Sequence, residues 1–453
     1  MKAEEKRAAY TAARSTVSAE WPIVPFEQAA TPQSDRGKRI KQRDYLPEGR
    51  IPVIDQGQAP VGGYTDDEDF AFAGELPVIL FGDHTRAVKM VSHRFAVGAD
   101  GIKIFRPAEG VRPKYLYYWM KSAPIPDRGY GRHYQYLRQL SVPLPPPSKQ
   151  DEIVAEIEKQ FSRLDEAVAN LKRVKANLKR YKAAVLKAAV EGRLVETEAE
   201  LARREGRSYE TGAQLLQRIL ETRRSQWKGK GKYKEPAAPD TTDLPELPEG
   251  WVWATVDQLA APEPNSITDG PFGSNLKTEH YQETGPRVIR LQNIKDGDFA
   301  DEYAHVSWAH FEQLRKHEIH AGDIVIASLG ENPPRACIIP PFVGPAIVKA
   351  DCIRFKPHSA TAAGYLNAAL NCQPTRQRVK SVLHGIGRPR LSLGEIRAIA
   401  LPIPPESEQR RVAAEIERRL SLVSEGGAQV DKNSRRTERL RQAILQVAFS
   451  RRV

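Results

Sequence analysis

Two stretches of the chain carry the same pattern of apolar and polar positions. Each begins with a proline-rich segment, Val142–Gln150 in the first copy and Leu401–Gln409 in the second. Each continues into a charged sequence with apolar residues three or four positions apart, the spacing of a long helix. The copies are offset by 259 residues (401 − 142) without a gap to the end of the chain. A repeat of this length indicates a repeated architecture.

The apolar positions of both copies follow the 3.5-residue repeat of a coiled-coil seam. They are Ile157, Phe161, Leu164, Val168, Leu171 and Leu178 in the first copy, and Ile416, Leu420, Val423, Val430, Leu440 and Ile444 in the second. A helix over 148–190 would be roughly 60 Å long, too long for one surface helix of a compact domain. We therefore expect the helices to pair as an antiparallel coiled coil rather than to pack separately on their own domains.

The sequence also contains residues that affect the ends and the middle of these helices. Ser148 and Ser407 follow the prolines and are predicted to cap the two helices. Gly427 replaces the apolar residue found at the matching position of the first copy, and glycine weakens a helix. The middle of the second helix is therefore expected to be its weak part.

A globular segment precedes each long helix. In the first, short β-branched runs such as Ile51–Ile54 alternate with Gly, Pro and Asp turns, and the aromatic run Tyr115–Met120 predicts a buried helix. The second segment repeats the landmarks of the first, with different residues between them. The predicted fold class is α/β, with two mixed α/β domains in a pseudo-two-fold repeat joined by the two long helices.

The predicted domain organisation has six parts. They are an N-terminal extension (1–20), a first globular domain (21–147), a first long helix (148–194), a connector (195–250), a second globular domain (251–405) and a second long helix (406–453). In the connector, Thr197 and Thr211 each precede Glu or Gln by three residues, as in a capping box. The Lys- and Pro-rich part from Lys228 onward predicts an extended tether.

Composition indicates a partner and a compartment. The net charge of +12 and the pI near 9.4 suggest a polyanionic partner. The cysteines, Cys337, Cys352 and Cys372, lack a C-x-x-C spacing, which favours a reducing compartment and disfavours a structural zinc site. No apolar run has transmembrane length, and residues 1–20 lack the apolar centre of a signal peptide. We expect a cytoplasmic protein.

Two short motifs resemble catalytic ones but lack an essential part. Glu331–Arg335 contains Asn-Pro-Pro, but Arg335 stands where an adenine methyltransferase needs a ring to stack on the flipped base, so we interpret it as a turn. His317 and His320 are three residues apart, unlike a helical zinc motif, and predict a surface helix end. No phosphate-binding loop of the G-x-x-x-x-G-K-[ST] type occurs. The sequence predicts a subunit without catalytic residues, metal or cofactor.

The order of globular domain, Pro-Pro-x-x-x-Gln segment, long helix, connector, second globular domain and second long helix resembles the specificity subunit of type I restriction-modification enzymes. The resemblance runs from about Trp21 to Val453, and the doubled arrangement makes it specific. Leu80–Arg86 and Thr268–Lys277 also resemble that family's target-recognition domains. The chain departs from the family in its extension before Trp21 and in the glycine-interrupted second helix.

The resemblance implies both a function and partners. Each globular domain would read one half of a bipartite site on double-stranded DNA, while the paired helices set the gap and dock two methyltransferase subunits. Those subunits would flip and methylate adenine with S-adenosylmethionine, and restriction subunits that use ATP and Mg would translocate and cleave DNA. Such a system defends the cell against foreign DNA.

Candidate DNA-binding residues are the basic, amide and aromatic side chains of loops, because Arg, Lys, Asn and Gln recognise base edges and phosphates need only charge. They are Lys38, Arg39, Lys41, His84, Arg86, Arg132 and Tyr134 in the first domain, and Asn275, Lys277, Arg335, Arg388 and Arg390 in the second. Each could instead be a solvated surface residue. Two other functions stay open: a non-catalytic scaffold without sequence preference, and a single-chain DNA-modifying enzyme with an unrecognised site.

Overall fold

The computed structural model of the protein describes residues 21–99, 101–229, 231–385 and 387–449. The N-terminal extension inferred from the sequence, 1–20, lies outside this range. The described residues form two compact units, 21–173 with 430–449, and 174–429. No helix in them is both long enough and apolar enough to cross a membrane.

The first unit contains a four-stranded sheet, a three-stranded sheet and a strand pair. Its strands are β1 (Ile23–Pro25), β2 (Ala30–Gln33), β3 (Ile51–Ile54), β4 (Gly63–Thr65), β5 (Val78–Gly82), β6 (Val88–Val91), β7 (Ala96–Val97), β8 (Ile102–Pro107) and β9 (Ser141–Pro143). Its helices are α1 (Phe26–Ala29), α2 (Pro113–Ser122), α3 (Tyr134–Leu137) and the first part of α4 (Pro147–Val190). The sheet orders are β2-β8-β5-β6 and β4-β3-β7, and β1 pairs with β9.

The second unit repeats this topology. Its strands are β10 (Val252–Thr255), β11 (Ile267–Thr268), β12 (Tyr281–Ile289), β13 (His305–Val306), β14 (Glu318–Ile319), β15 (Ile324–Ala327), β16 (Arg335–Ile338), β17 (Ala346–Val348), β18 (Cys352–Phe355) and β19 (Ala400–Ile403). Its helices are α5 (Glu198–Glu205), α6 (Gly212–Ser225), α7 (Trp308–Gln313), α8 (Ala363–Asn371), α9 (Gln373–Arg378), α10 (Leu393–Ala398) and the first part of α11 (Glu406–Phe449). The sheet orders are β11-β18-β15-β16 and β13-β12-β17-β14, and β10 pairs with β19.

Matching strands have matching environments in the two units. The central strands β5 and β15 are buried at every position and are continuous apolar runs, apart from the final glycine of β5. The other sheet of each unit, three-stranded in the first and four-stranded in the second, contains one parallel pair, β3 with β7 and β12 with β17. The aromatic run Tyr115–Met120 lies in α2, where Tyr115, Leu116, Trp119 and Met120 are buried, as predicted. The α/β fold class and its repeat are confirmed.

A buried glutamine explains the repeated Pro-Pro-x-x-x-Gln segment. Gln150 donates from Nε2 to the carbonyl oxygens of Pro145 (2.8 Å) and Gly110 (3.0 Å), and its Oε1 accepts the backbone N–H of Arg112 (2.8 Å) just before α2. In the second unit, Gln409 donates to Pro404 (2.9 Å) and accepts from Ala362 (3.0 Å) just before α8. Each glutamine therefore fastens the start of a long helix to its domain.

A tyrosine hydroxyl reinforces this joint in both units. Tyr115 donates to the carbonyl oxygen of Pro143 at 2.6 Å, and Tyr365 donates to that of Pro402 at 2.6 Å. Both rings are fully buried. In the first unit, β9, α2 and the start of α4 thus form one joint. In the second unit, β19, α8 and the start of α11 form the same joint.

The long helices pair with opposite directions. In the first unit, the Arg441 guanidinium lies over the Phe161 ring at 4.8 Å and forms an ion pair with Asp165. In the second unit, the end of α4 shares a core with the start of α11, where Leu186 and Ile416 are buried. Residues further along α4 contact residues nearer the start of α11. The two helices therefore run in opposite directions, and the antiparallel coiled coil is confirmed.

The predicted capping residues of the two long helices were wrong. Ser148 and Ser407 lie within the first turn, because α4 begins at Pro147 and α11 at Glu406, so neither serine is the capping residue. Proline suits this first position because it lacks the N–H that would be unpaired there. The first helix ends at Val190, as the predicted helix over 148–190 does, since Gly192 takes a left-handed conformation (φ +67°) that stops it.

Leu440 was wrongly assigned to the seam. It is 40% exposed, whereas Thr437 is buried and Arg441 covers Phe161. From Val430 the protected face of α11 follows steps of three and four through Thr437 and Arg441 to Ile444, so Leu440 points away from it. The other predicted seam residues, Ile157, Phe161, Leu164, Val168, Leu171, Leu178, Ile416, Leu420, Val423, Val430 and Ile444, are buried or half-buried.

The connector is more ordered than its composition indicates. Both capping boxes form, at Thr197 and at Thr211, and begin α5 and α6 as predicted. The proline-rich part has no helix or strand among its described residues, but it packs along the second unit: Ala237 accepts a hydrogen bond from Thr255 (3.0 Å) and Pro245 one from Trp253 (3.2 Å). The extended tether expected there is therefore extended, but it packs against the second unit.

We predict that Gln150→Ala and Gln409→Ala each lower the free energy of unfolding by about 2–3 kcal/mol, because each leaves buried backbone groups without partners. Glutamate at either position keeps the shape but cannot donate to the proline carbonyl, so it should also destabilise. Urea unfolding measures the effect. Gln160→Ala is the matched control, since this amide contacts Glu156 on the helix surface. Equal stability of Gln150→Ala and Gln160→Ala would contradict the proposed joint.

Glu408, next to this joint, is a buried carboxyl group. It accepts hydrogen bonds from the backbone N–H of Glu198 (2.8 Å) and from the Trp251 indole (3.1 Å). Burial raises the pKa of Glu408 to about 7. Arg207 and Arg411, each at 2.6 Å from Glu198, outweigh the effect of burial on that neighbour and lower its pKa.

We predict that the stability of the second unit falls as pH rises from about 4.5 to 7. The folded state binds the Glu408 proton more tightly than the unfolded state, so raising the pH across this window favours unfolding, by up to about 3 kcal/mol. Glu408→Gln should flatten the pH dependence of the urea midpoint, and Glu417→Gln on the exposed face of the same helix should leave it unchanged. If the urea midpoint of Glu408→Gln still falls with pH as steeply as that of the wild type, another group causes the pH dependence.

Candidate nucleic-acid interface

Four loops meet at one end of the large sheet in the first unit: 35–41, 55–58, 83–87 and 125–134. Asp83 fastens two of them together. Its carbonyl oxygen accepts the backbone N–H of His133 (2.8 Å), and its carboxylate accepts that of Tyr134 (2.7 Å). The His133 ring is fully buried, with Nδ1 2.9 Å from the same carbonyl oxygen. The loop after α2 is therefore fixed on the β5–β6 turn.

The structure brings His84 and Arg86 onto this turn. The His84 ring stacks on Tyr130, with centroids 4.6 Å apart and planes 9° apart. Arg86 has a positive φ of 59° and donates to the carbonyl oxygen of Ile125 (3.2 Å) and the carboxylate of Asp127 (2.6 Å). The backbone N–H of Gly129 and the Arg86 guanidinium hold the pKa of Asp127 below its usual value. Part of the Arg86 charge is thus balanced within the loop.

The other candidates of the first unit differ in exposure. Lys38, Lys41 and Arg132 are exposed. Arg39 pairs with Asp35 and donates to the carbonyl oxygen of Ile102 (3.2 Å), so it also holds its loop to the start of β8. Tyr134 is half-buried against Phe105, with the Lys103 ammonium 5.5 Å from its ring. Arg39 and Tyr134 thus have structural contacts as well as partly exposed edges.

Four loops also meet in the second unit: 269–277, 328–335, 349–352 and 384–391. The first, second and fourth match loops 35–41, 83–87 and 125–134 of the first unit, whereas 349–352 matches the loop after β7. Backbone hydrogen bonds join them, from Leu391 to Ser328 (2.8 Å) and from Ser328 to Asp351 (2.9 Å). Arg390 forms an ion pair with Asp351 at 2.8 Å, and its guanidinium lies 5.7 Å from the centre of the Phe272 ring. Three of the four loop positions are therefore the same in both units.

The remaining candidates of the second unit lie on these loops. Arg388 is exposed at the tip of the hairpin that the backbone hydrogen bonds between His384 and Arg390 close. Arg335 begins β16, half-buried, beside Gly330. Asn275 and Lys277 are exposed, and the Asn275 carbonyl oxygen lies 2.9 Å from Nε2 of His310. Lys277 lies 3.5 Å from Glu279, which offsets part of its charge.

The two catalytic-like motifs have structural roles. Glu331–Arg335 forms the turn between β15 and β16, as predicted. His317 was wrongly placed on the surface: it is buried, with Nδ1 2.6 Å from the carbonyl oxygen of Asp269, and burial lowers its pKa. Across the described ranges, no three His, Cys, Asp or Glu side chains are grouped so that they could hold a metal ion.

Sequence reasoning missed two aromatic residues of these loops. Tyr130 is 81% exposed and Phe272 is 45% exposed. Both have glycine neighbours, at Gly129 and Gly131 and at Gly273. A large ring beside glycine is unlike the dense aromatic runs of the core, and this signal could have found both.

Comparisons with known proteins agree on one family. No protein-family model matches the chain. The specificity subunit of the Escherichia coli type I restriction enzyme EcoR124I/EcoR124II is 27% identical over 168 residues, 34% of this chain and 41% of that relative. The EcoDI specificity subunit, also from Escherichia coli, is 22% identical over 351 residues, 75% of this chain and 70% of that relative. The first match thus spans less than half of its relative.

A solved structure has the same fold. It comes from a study of complex assembly and conformational transition of the type I R-M system, and it is 14% identical. The superposition covers 96% of this chain and 98% of that one, with a TM-score of 0.57. The related sequences agree with the resemblance to the specificity subunits of type I restriction enzymes that the repeated segments indicated, and the solved structure shows the same doubled fold.

Proposed function

We propose that this chain is the DNA-recognition subunit of a type I restriction-modification complex, in which each unit reads one half of a bipartite site on double-stranded DNA. One observation carries the proposal: three loops at matching positions (35–41, 83–87 and 125–134; 269–277, 328–335 and 384–391) converge in both units, but they present different side chains. A shared scaffold with different loop residues is suited to the recognition of two different short sequences.

The exposed arginines of the matching loops are the best candidates for direct contact. Arg132 and Arg388 are both exposed, on the loop before the last strand of each unit. Each can place a planar guanidinium against a phosphate or against the O6 and N7 acceptors of guanine. Arg86 and Arg390 are held by Asp127 and Asp351, so their directions are fixed before DNA binds.

The proposed partners perform the chemistry. Two methyltransferase subunits dock on the paired helices and methylate adenine with S-adenosylmethionine, and restriction subunits use ATP and Mg for translocation and cleavage. This chain is then the non-catalytic subunit that chooses the DNA site, with the paired helices setting the gap between the halves. Its three buried free thiols suit a reducing cytoplasm.

We predict that Arg132→Glu and Arg388→Glu each weaken binding to the cognate duplex by at least several-fold, because each reverses a charge at the proposed interface. The cognate site is first selected from a random duplex pool by the complex of this chain with its methyltransferase. Affinity is then measured by gel shift at several salt concentrations. Arg106→Glu is the matched control, since Arg106 is an exposed arginine towards the far end of β8 and pairs with Glu75.

Two outcomes would contradict the proposal. Selection of no sequence from the random pool, despite a stable complex with the methyltransferase, would favour an assembly scaffold without DNA preference. Unchanged affinity in both charge-reversal variants would remove the loops before the last strands from the interface. Methyl transfer by the purified chain alone would instead indicate an enzyme.

A further inference from the structure

Tyr130 is fixed in place although it is 81% exposed. One face of its ring is covered by the parallel ring of His84, and the other face is open to solvent. An exposed ring of this size contributes little to a core, so its fixed position calls for a reason outside the domain.

The support for Tyr130 comes from His84 and Gln56, two half-buried side chains on neighbouring loops. Nδ1 of His84 lies 3.1 Å from the carbonyl oxygen of Tyr130, and the backbone N–H of His84 donates to the side chain of Gln56 (3.2 Å). Gly129 takes a left-handed conformation (φ +60°), which a residue with a side chain rarely adopts, and it turns the chain just before the ring. The ring is therefore ordered before any ligand arrives, which lowers the entropy cost of binding.

The charge around Tyr130 matches a nucleic acid. Arg86 and Arg132 lie on the same two loops and can contact phosphates. The ring itself adds an uncharged planar surface, which has little to offer a phosphate and fits the face of a base. The second unit differs, because Arg390 lies over its exposed ring, Phe272.

We propose that Tyr130 packs the open face of its ring against a base at a partly unstacked base step in the half-site that the first unit reads, with His84 supporting it from behind. This inference rests on the proposed function and adds a specificity-determining residue to it. The ring makes this contact, so the hydroxyl group of Tyr130 is not required. Because the ring is uncharged, the free energy of the contact does not depend on the release of counterions.

The test uses the complex of this chain with its methyltransferase and a duplex carrying the selected bipartite site. Tyr130→Ala should weaken binding about ten-fold or more, as loss of one stacked base does, with an unchanged dependence of affinity on salt. Tyr130→Phe should bind like the wild type. Arg132→Ala should instead reduce the slope of log K against log salt by about one. Tyr303→Ala, a similarly exposed tyrosine of the second unit, is the matched control.

A double-mutant cycle then locates the base. Each base of the duplex is replaced in turn by an abasic site, and affinity is measured for the wild type and for Tyr130→Ala. At one or two adjacent positions of a single half-site, the abasic change should weaken the wild type but not Tyr130→Ala. Thermal unfolding of Tyr130→Ala should match the wild type, since the ring is exposed.

The outcomes separate this inference from the proposed function. If the wild-type complex binds the bipartite duplex and random DNA equally well, the proposed function itself is contradicted. A complex that makes this distinction equally well with Tyr130→Ala would overturn only the role of Tyr130. Loss of binding in Tyr130→Phe, or coupling spread evenly over both half-sites, would also overturn it, because the hydroxyl or a general loosening of the loop would then explain the effect.

Discussion

A buried glutamine at the start of each long helix holds the rest of the structure in register. Gln150 and Gln409 each connect the proline turn, the backbone just before a short helix and the first turn of a 44-residue helix. A buried amide needs its partners in fixed places, because an unpaired polar group in the interior is costly. The direction in which each helix leaves its domain is therefore set by a specific hydrogen-bond network as well as by apolar contact, and the chain repeats that network.

On this repeated scaffold, the two units differ at the loops. In the first unit a buried Asp83–His133 contact supports an exposed ring, Tyr130. In the second, an Arg390–Asp351 ion pair joins two of the converging loops, with the guanidinium over Phe272. The core positions that carry the fold are apolar and matched between the units, whereas the loop tips are free to vary because they contribute little to stability. This division lets one fold carry two different recognition surfaces.

Much of this fold could be predicted from the sequence, because its signals are periodic or local. The seam spacing predicted two paired helices, and the capping boxes at Thr197 and Thr211 form. The role of Gln150 could not be predicted, since its partner Arg112 is 38 residues away. Leu440 was misplaced because apolar character alone does not show that Thr437 and Arg441 take the seam positions. The stacking of Tyr130 on His84 depends on loops that meet only in three dimensions.

If the paired helices set the distance between two separate DNA-reading domains, lengthening both helices must lengthen the gap between the half-sites. One heptad would be inserted after Arg173 in α4 and one after Gln429 in α11, where the two units divide, which preserves the phase of the seam. Methyladenine would then be mapped by long-read sequencing in cells that express the chain with its methyltransferase. A heptad adds about 10 Å of helix, so the account predicts unchanged half-sites with a gap longer by about three base pairs. An unchanged gap, or a single continuous motif, would contradict it.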